Sequence, residues 1–323
     1  MKNIELLEEI KKKGLRGESI SREEAAWAAE FVDLDALCDV ANEICRHWQG
    51  TEVDSCSIVN ARSGMCGEDC KWCAQATRHH TGCETYNFLD DEEVLRAAEA
   101  NDKAGIRKFS LVTSGRAVSK RDLEKFCATY SRLTKETDLH LCASMGLLGE
   151  EEMKMLKQAG VKRYHCNMET SSGFFPTLCS THTPDDKRRT IAAARKCGME
   201  VCSGGIIGMG ETMADRIDFA FELAELNVDS VPINILNPIP GTPLEHTPLI
   251  SEEEIIRTVA IFRLILPTKS LRFAGGRIRL SHDSMLRIMT GGMNGVLMGD
   301  MLTTVSNTIA DDRKLFREAG LHF

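Results

Sequence analysis

Short apolar runs alternate with amphipathic segments over most of this 323-residue chain, and this alternation limits the folds open to it. The apolar runs predict eight strands, at 53–59, 108–112, 139–143, 163–168, 200–203, 230–235, 271–274 and 295–298. The segments that follow them have helical spacing, at 91–104, 120–134, 150–159, 185–196, 212–226, 251–264, 282–289 and 311–318. Eight strands that are each followed by a helix are typical of a closed parallel barrel. The sequence therefore predicts an α/β fold of the (β/α)8, TIM-type class.

The first fifty residues differ, because they show helical spacing without strand-like runs. Ser21 and Glu24 form a capping-box pattern ahead of an alanine-rich helix. Cys38 and Cys45 lie on the apolar face of the next helix, where we expect them to fill the core. We therefore predict a helical N-terminal extension at 1–50 and one barrel domain at 51–323. A doubly wound open sheet is the alternative, although such sheets ordinarily have fewer strands.

Charge and hydropathy exclude several classes of function. The formal net charge is −8, which argues against a nucleic-acid-binding surface. No apolar run approaches the roughly 18 residues of a membrane-spanning helix, and the N-terminus lacks the apolar core of a signal peptide. We therefore expect a cytoplasmic protein with no membrane or nucleic-acid partner. In that compartment the thirteen cysteines stay reduced and do not form a disulfide framework.

Three of these cysteines, Cys66, Cys70 and Cys73, lie within eight residues on the loop after the first predicted strand. Thiolates that converge on one point favour zinc, copper(I) or an iron–sulfur cluster. A structural zinc site normally has four ligands, whereas three cysteines around a cubane leave one iron open to bind another molecule. The spacing favours an iron–sulfur cluster, with a zinc site or an incidental grouping as the alternatives.

The cysteine spacing, with the aromatic Trp72 just before the last thiol, resembles the signature of the radical S-adenosylmethionine (SAM) enzymes. From about Cys56 onward the chain is most similar to the biotin synthase family. This resemblance implies a 4Fe–4S cluster on the three cysteines, with SAM bound to the fourth iron. Reductive cleavage of SAM would then yield a radical that removes hydrogen from dethiobiotin. A saturated carbon has no acidic proton, so a cofactor must supply this chemistry.

The resemblance extends to motifs in family order along the later strands. It implies that SAM is bound by residues from several segments, which are Trp72, Asn167, Glu169, Lys187, Arg188, Gly204, Gly205, Ile206 and Ile207. Either Lys187 or Arg188 would pair with the SAM carboxylate, and the two glycines would let the backbone approach SAM. Dethiobiotin would be bound by Asn167, Asn234, Thr303 and Thr304. Taken singly, an Asn or Thr at a strand end is more often a cap or turn residue.

A second cluster supplies the sulfur in this family, and here the sequence departs from the common pattern. Cys142, Cys202 and Arg272 are present, but Ser110 stands where the common form has its first cysteine ligand. Cys166 stands where a histidine is usual. We therefore expect Cys142, Cys166 and Cys202, near Arg272, to hold a 4Fe-type cluster, with 2Fe–2S as the alternative.

One objection concerns strand parity. Cys166 and Asn167 are neighbours on one predicted strand, so they point to opposite faces unless a bulge or the strand end intervenes. Cys83 and Cys179, both in predicted loops, are reserve ligands.

The resemblance thus implies a sulfurtransferase of the radical SAM class that makes biotin from dethiobiotin. The resemblance also implies a homodimer, an electron donor such as flavodoxin or ferredoxin, and iron–sulfur assembly machinery as partners. One alternative is another radical SAM barrel, of the hydrogenase-maturase or methylornithine-synthase type, which lacks the set of Cys142, Cys202 and Arg272. An alternative of a different class is a non-catalytic zinc or redox-storage protein.

Overall fold

The computed structural model describes residues 2–299 and 308–323. Three helices come first, α1 (Lys2–Leu15), α2 (Arg22–Phe31) and α3 (Leu34–Gln49). The predicted capping box is present, since Ser21 Oγ accepts from the Glu24 amide at 3.2 Å and Glu24 Oε2 accepts from the Ser21 amide at 2.8 Å. Cys38 and Cys45 are fully buried, as their spacing predicts.

The barrel is built from nine parallel strand segments. They are β1 (Asp54–Arg62), β2 (Lys108–Thr113), β3 (His140–Ser144), β4 (Arg163–His165), β5 (Glu200–Cys202), β6 (Gly205–Ile207), β7 (Ser230–Ile235), β8 (Ser270–Phe273) and β9 (Gly295–Leu297). The segments β5 and β6 are two halves of one barrel strand. Because β5 pairs with both β4 and β7, and β9 pairs with β1, the sheet closes and the predicted eight-stranded barrel is confirmed.

Helices surround this sheet in the order that the sequence predicts. They are α4 (Asp91–Lys103), α5 (Lys120–Glu136), α6 (Glu150–Gln158), α7 (Pro184–Lys196), α8 (Met213–Glu225), α9 (Glu252–Ile265), α10 (His282–Met289) and α11 (Ile309–Glu318). Most of them begin at a Ser, Thr or Asp whose side chain accepts from a backbone amide of the first turn. Because the strands are all parallel, their carboxyl ends lie together at one mouth of the barrel.

Close packing explains why one barrel strand is broken between β5 and β6. A Cβ on Gly204 would collide with the carbonyl of Pro232, and one on Gly205 would collide with the carbonyl of Glu169. Only glycine lets the neighbouring strands approach this closely. We expected these glycines to let the backbone approach SAM. The structure shows that they also allow close contact between neighbouring strands, which the sequence did not reveal.

None of the helices in the described part of the chain has both the length and the apolar character needed to cross a membrane. The extension helices pack against α8 and α9 on the outside of the barrel. They therefore leave the mouth at the carboxyl ends of the strands open.

The contact between α9 and α10 gives a pH-dependent prediction. The Glu252 carboxylate accepts from the Ser281 hydroxyl at 2.5 Å, from the Ser284 hydroxyl, and from the Ser281 amide at 2.8 Å, and these bonds hold its pKa below the usual value. A lowered folded-state pKa adds stability above the unfolded pKa of about 4.3, and this is lost as the pH falls through the folded value. We expect Glu252→Gln to lower the thermal midpoint at pH 7, and to lower it less at pH 3.

The measurement is thermal unfolding, monitored by circular dichroism, at several pH values between 3 and 7. Glu253→Gln is the matched control, because Glu253 is exposed and pairs only across one helical turn with Arg257, at 3.3 Å. A loss of stability in Glu252→Gln that is independent of pH would show that the carboxylate charge is not what holds α10.

Candidate active site

A cavity of about 360 Å³ opens inside the barrel at its mouth. At one end it is lined by Cys66, Cys70 and Cys73, which we call the outer thiol loop. Deeper in the barrel it is lined by Cys142 and Cys202, on β3 and β5. The same space therefore connects the two groups of thiols that the sequence analysis singled out.

Backbone hydrogen bonds hold the outer thiol loop in place. The Cys66 amide donates to Gln75 at 3.1 Å, and the Cys66 carbonyl accepts from Thr77 at 2.8 Å. The Lys71 amide donates to Leu178 on a neighbouring loop at 3.0 Å. Cys66 is buried and the other two thiols are half-buried, so the three sulfurs face the cavity rather than bulk water. Three soft donors on one fixed loop are a set that fits an iron–sulfur cluster with an open iron.

Glu169 and Asn167 lie just past the end of β4. Glu169 has a left-handed φ of 77°, and its amide donates to the Gly204 carbonyl at 3.0 Å. Asn167 Oδ1 accepts from the Gly204 amide at 3.0 Å, while Asn167 Nδ2 lies 3.4 Å from Glu169 Oε2. Burial raises the pKa of Glu169, against the opposing effect of the Lys187 charge. The structure thus brings these two predicted residues together at the cavity wall.

Lys187 and Arg188 are separated by the geometry of α7. Lys187 is only 7% exposed, lines the cavity, and lies 5.6 Å from the Phe175 ring centroid. No carboxylate within residues 2–299 and 308–323 lies within ion-pair distance of its ammonium group. Arg188 instead pairs with Asp185 at 2.7 Å and Glu222 at 3.0 Å, away from the cavity. Successive helical residues point about 100° apart, so only one of the two predicted cations reaches the site.

Ile206 and Ile207, the two isoleucines expected to bind SAM, divide in the same way. Ile206 packs with Trp72, Phe174 and Leu236 near the mouth. Ile207 points to the opposite face and is 2% exposed in the main core. Alternation along a strand requires this split, so the two side chains face different surroundings, and a contact of Ile206 with SAM stays a prediction.

Asn234 lines the cavity, but both ends of its amide are engaged. Nδ2 donates to the Gly205 carbonyl at 3.1 Å, and Oδ1 accepts from the Gly275 amide at 2.8 Å. Asn234 therefore ties β7 to the strands on either side, in addition to any contact with a ligand. Thr303 and Thr304, the other predicted substrate residues, lie outside the described residues.

The structure adds a thiol that the sequence analysis did not assign. Cys56 on β1 is 5% exposed, lines the cavity, and affects the pKa of Cys142 electrostatically. Cys202 and Arg272 are close enough to affect the pKa of Cys56 in turn. We call Cys56, Cys142, Cys202 and Arg272 the inner thiol layer.

The strand register explains why these four side chains converge. In an eight-stranded barrel with a stagger of about eight, strands two apart are offset by about two residues at equal height. The ladder runs from Cys56 across β2 to His140, and Cys142 is two residues farther along β3. The same step leads across β4 to Cys202, then across β7 to Arg272. A final step across β9 returns to Cys56, so four alternate strands supply one layer.

Cys166 lies outside this layer, in which the register places Cys56 with Cys142 and Cys202. Regular strand β4 ends at His165, so Cys166 is just past the strand end and lines the same cavity as Arg163 and His165. Cys166 packs in the main apolar core, and the charges that affect its pKa are those of Lys187 and Glu169. Because β4 ends at His165, the parity objection does not apply, and a ligand role for Cys166 stays a prediction.

The layer is surrounded by positive charge and by unpaired polar atoms. Burial raises the pKa of the Cys202 thiol, but His165, Arg272 and Arg163 outweigh it and lower the pKa to about 6. Arg272 is anchored by Asp54 at 2.7 Å, and the charges of Arg272 and Lys108 hold the pKa of Asp54 well below its usual range despite burial.

Three atoms beside the layer, Ser110 Oγ, Arg163 Nη1 and Arg272 Nε, are buried without a hydrogen-bond partner among the described residues. Such atoms are uncommon in folded proteins. Their donors, together with three thiols and nearby cations, fit an anionic sulfide-containing cluster held at this depth of the barrel. Among the residues in and beside the layer, Cys56, Arg163 and His165 were missed by sequence reasoning. Only the barrel register, which links eight distant segments, identifies them.

Comparison with solved structures supports the barrel assignment. The chain resembles methylornithine synthase with a TM-score of 0.84 at 18% identity, covering 97% of this chain and 96% of that one. It resembles HydG, a maturase of the [FeFe]-hydrogenase, with a TM-score of 0.83 at 16% identity, covering 98% of this chain and 75% of that one. At such low identity these likenesses show the fold alone.

Sequence comparison is more specific. Residues 62–223 match the radical SAM superfamily, and residues 232–322 match the biotin and thiamin synthesis associated domain. A biotin synthase of Porphyromonas gingivalis is 49% identical over 315 residues, covering 98% of this chain and 96% of that one. One of Clostridium botulinum (strain Langeland) is 48% identical over 310 residues, covering 96% and 97%. The chain therefore belongs to the biotin synthase family of radical SAM enzymes.

Proposed function

We propose that this enzyme converts dethiobiotin to biotin, taking the sulfur from an auxiliary iron–sulfur cluster held by the inner thiol layer. The observation that carries the proposal is the single cavity that joins the outer thiol loop to Cys142 and Cys202. Relatives named biotin synthase, matched along nearly their whole length, give the substrate. A substrate lying in this cavity would have the radical source on one side and the sulfur source on the other.

The residues of the chain divide the work within that cavity. Cys66, Cys70 and Cys73 would hold the 4Fe–4S cluster, and Lys187 would pair with the SAM carboxylate. When bound, the cluster and SAM would supply the one-electron chemistry needed to break an unactivated C–H bond. Glu169, half-buried at the cavity wall, would accept hydrogen bonds from the SAM ribose. The barrel wall surrounds the cavity below its mouth, and a bound substrate and SAM would displace the water that could divert a reactive intermediate.

The position of the third inner thiol supports a 4Fe-type auxiliary cluster. Neighbouring strands are about 4.8 Å apart, and Ser110 on β2 is directly paired with Cys142 on β3. Cys56 lies one strand farther away, on β1. Three thiols on alternate strands are spread more evenly around the barrel than thiols on adjacent strands. A cubane presents three separate iron corners to such a triangle, whereas a two-iron cluster presents only two.

Iron and sulfide analysis tests the type of cluster. A chain in which Cys66, Cys70 and Cys73 are all replaced by alanine is reconstituted anaerobically, so that only the inner thiol layer can hold a cluster. We expect about four irons per chain. Two irons with the spectrum of a 2Fe–2S centre would contradict the proposed type and favour the alternative.

Lys187 gives a prediction for SAM binding. Truncating one partner of a buried charge pair costs about 2–5 kcal/mol, so we expect Lys187→Ala to weaken SAM binding by about a hundredfold. The measurement is calorimetric titration of the reconstituted protein with SAM. Arg188→Ala is the matched control, because its ion pairs with Asp185 and Glu222 lie away from the cavity. Equal losses of SAM affinity in both variants would mean that Lys187 does not contact SAM.

Turnover tests the function itself. The reconstituted protein is incubated anaerobically with dethiobiotin, SAM and a reductant, and the products are identified by mass spectrometry. We expect biotin together with 5′-deoxyadenosine. Deoxyadenosine formed only with another substrate would favour a different radical SAM activity, and a colourless zinc-containing protein would favour the non-catalytic alternative.

The remaining assignments follow from this chemistry and are part of the same proposal. An electron donor of the flavodoxin or ferredoxin class would reduce the outer cluster, and iron–sulfur assembly machinery would rebuild the inner one after its sulfur is consumed. We place the enzyme in the cytoplasm, where its thiols stay reduced, and expect it to act as a homodimer.

A further inference from the structure

Cys179 is a thiol that the proposed function does not use, and it lies beside the outer thiol loop. It follows the short 3-10 helix Phe175–Thr177 and is 6% exposed. Its sulfur is 3.7 Å from the sulfur of Cys70 and 3.3 Å from Nδ1 of His182. The three ligand atoms of Cys70, Cys179 and His182 all lie within 4.8 Å of one another. We call these three residues the Cys70–Cys179–His182 cluster.

The spacing within this cluster matches a single metal ion. With zinc–sulfur bonds of about 2.3 Å, two thiolates on one tetrahedral ion lie about 3.8 Å apart, and the observed separation is 3.7 Å. Thiolates on different corners of a cubane are held farther apart than this. Cys179 is therefore too close to Cys70 to be a fourth ligand of the same 4Fe–4S cluster. The pair is instead spaced to share one ion.

His182 is already oriented for metal binding by a carboxylate. Its Nδ1 lies 2.5 Å from Glu68 Oε2, and Glu68 also accepts from the Thr181 hydroxyl at 2.7 Å. That contact leaves Nε2, which is 3.9 Å from the Cys179 sulfur, for an ion. A histidine that ligates a metal usually donates its other nitrogen to a carboxylate in this way. The imidazole, the carboxylate and both thiols are thus arranged as a ligand set with its outer partner.

The loop that carries Cys179 is held rigidly. Asp69 Oδ1 accepts from the amide of Ser180 at 2.9 Å and from the hydroxyl of Thr181 at 3.0 Å. The same oxygen is 3.2 Å from the Cys179 sulfur. Since Asp69 precedes Cys70 in the chain, one residue links both thiol-bearing segments. The cluster is therefore present before any ion arrives.

We propose that the chain without its 4Fe–4S cluster binds one zinc-class divalent ion at Cys70, Cys179 and His182. The two thiols lose their protons on binding, and the fourth tetrahedral position is left to water. Because Cys70 is shared, this ion and the 4Fe–4S cluster exclude one another. The site thus competes with cluster assembly, whichever substrate the enzyme acts on.

Cobalt(II) is the probe, since a thiolate-ligated tetrahedral site gives it intense visible bands. The full chain, stripped of iron, is titrated anaerobically with Co²⁺. We expect the affinity of one Co²⁺ ion to fall more than about a hundredfold in Cys179→Ala and His182→Ala, and about tenfold in Glu68→Gln, which removes an outer partner. Cys66→Ala and Cys73→Ala should leave it unchanged. None of these substitutions alters the inner thiol layer, so any Co²⁺ bound there contributes equally to every variant.

The opposite pattern overturns the proposal. If Cys66→Ala and Cys73→Ala lose the band while Cys179→Ala keeps it, cobalt binds the outer thiol loop instead. Cys83→Ala is the matched control, because Cys83 is half-buried on a neighbouring loop, where its sulfur lies 3.7 Å from the Ser63 hydroxyl. Circular dichroism verifies that each variant is folded, and Cys179→Ser provides a second variant that keeps the size of the side chain.

A second measurement tests the competition. One equivalent of Zn²⁺ is added before iron and sulfide, and the growth of the cluster absorbance is followed. We expect Zn²⁺ to slow reconstitution at least tenfold in the unmodified chain and to have little effect in Cys179→Ala. Equal slowing in both would show that zinc acts at another site. These readouts do not involve biotin, so their failure is distinguishable from failure of the proposed function.

Discussion

Replacing Cys56 by alanine is expected to abolish biotin formation while the cleavage of SAM continues. Cys56 is one of three thiols in the inner thiol layer, and its loss leaves two for the auxiliary cluster. Loss of a residue that only hydrogen-bonds to a metal ligand costs roughly 10- to 100-fold in metal affinity. Loss of a ligand itself should therefore cost more. We therefore expect biotin formation to fall by more than about a hundredfold.

The outer thiol loop is untouched by this substitution, so two products separate the effects. Biotin and 5′-deoxyadenosine are quantified by mass spectrometry after anaerobic turnover, and iron is counted in the same samples. Deoxyadenosine should persist, because Cys66, Cys70, Cys73 and Lys187 are all retained. Loss of both products together would indicate that Cys56→Ala disturbs the whole barrel rather than one cluster.

Cys166→Ala is the matched control. Cys166 is a buried cysteine of the same barrel, 8% exposed, which lines the cavity near Lys187 and Glu169 but lies outside the layer. We expect this variant to keep its full complement of iron and to make biotin at close to the normal rate. If Cys166→Ala loses the auxiliary cluster and Cys56→Ala retains it, the assignment by barrel register is wrong.

Glu211→Gln is expected to cause a large loss of stability although Glu211 lies outside the cavity. The Glu211 side chain is 1% exposed, and it accepts from the Gly208 amide at 2.6 Å and the Met209 amide at 2.7 Å. It also pairs with Arg216, equally buried, at 2.6 Å. This carboxylate thus closes the glycine-rich turn that follows β6 and neutralises a buried guanidinium group.

Removing one partner of a buried ion pair costs about 3–5 kcal/mol, because the other charge is left without compensation. We expect the free energy of unfolding to fall by about 3 kcal/mol, near the low end, since Arg216 keeps Glu254 at 2.6 Å. The shift in denaturation midpoint of the cluster-free chain measures this loss.

Glu254→Gln is the control for that measurement. It removes the other carboxylate from Arg216, but Glu254 is 39% exposed, and pairs with exposed partners contribute about 1 kcal/mol or less. A loss in Glu254→Gln as large as that in Glu211→Gln would place the important charge at the helix surface instead of beneath the turn.

Local pattern was sufficient for much of this protein. Strand and helix positions follow from the spacing of apolar residues, and the caps follow from Ser, Thr and Asp at helix starts. The outer thiol loop could also be recognised, because its three cysteines are close in sequence. Where a site is assembled from one short segment, its chemistry is visible without a structure.

The sequence alone did not predict the direction in which individual side chains point. Lys187 and Arg188 are neighbours of the same charge, and Ile206 and Ile207 are neighbours of the same hydropathy. Lys187 lines the cavity and Ile206 packs near Trp72, while their neighbours point elsewhere, because a helix turns its residues and a strand alternates them. Which of the two faces inward depends on how the element is rotated against the barrel.

The sequence by itself determined where the strands and helices lie, and their order predicts the barrel. It also determined the radical SAM loop. Each of these elements depends on residues within one short segment. Only the tertiary structure decided that Cys56, and not Cys166, shares a layer with Cys142 and Cys202. That choice depends on the register of eight strands drawn from across the chain. A shift of one residue in any ladder turns a side chain to the opposite face, and no local pattern specifies the ladders together.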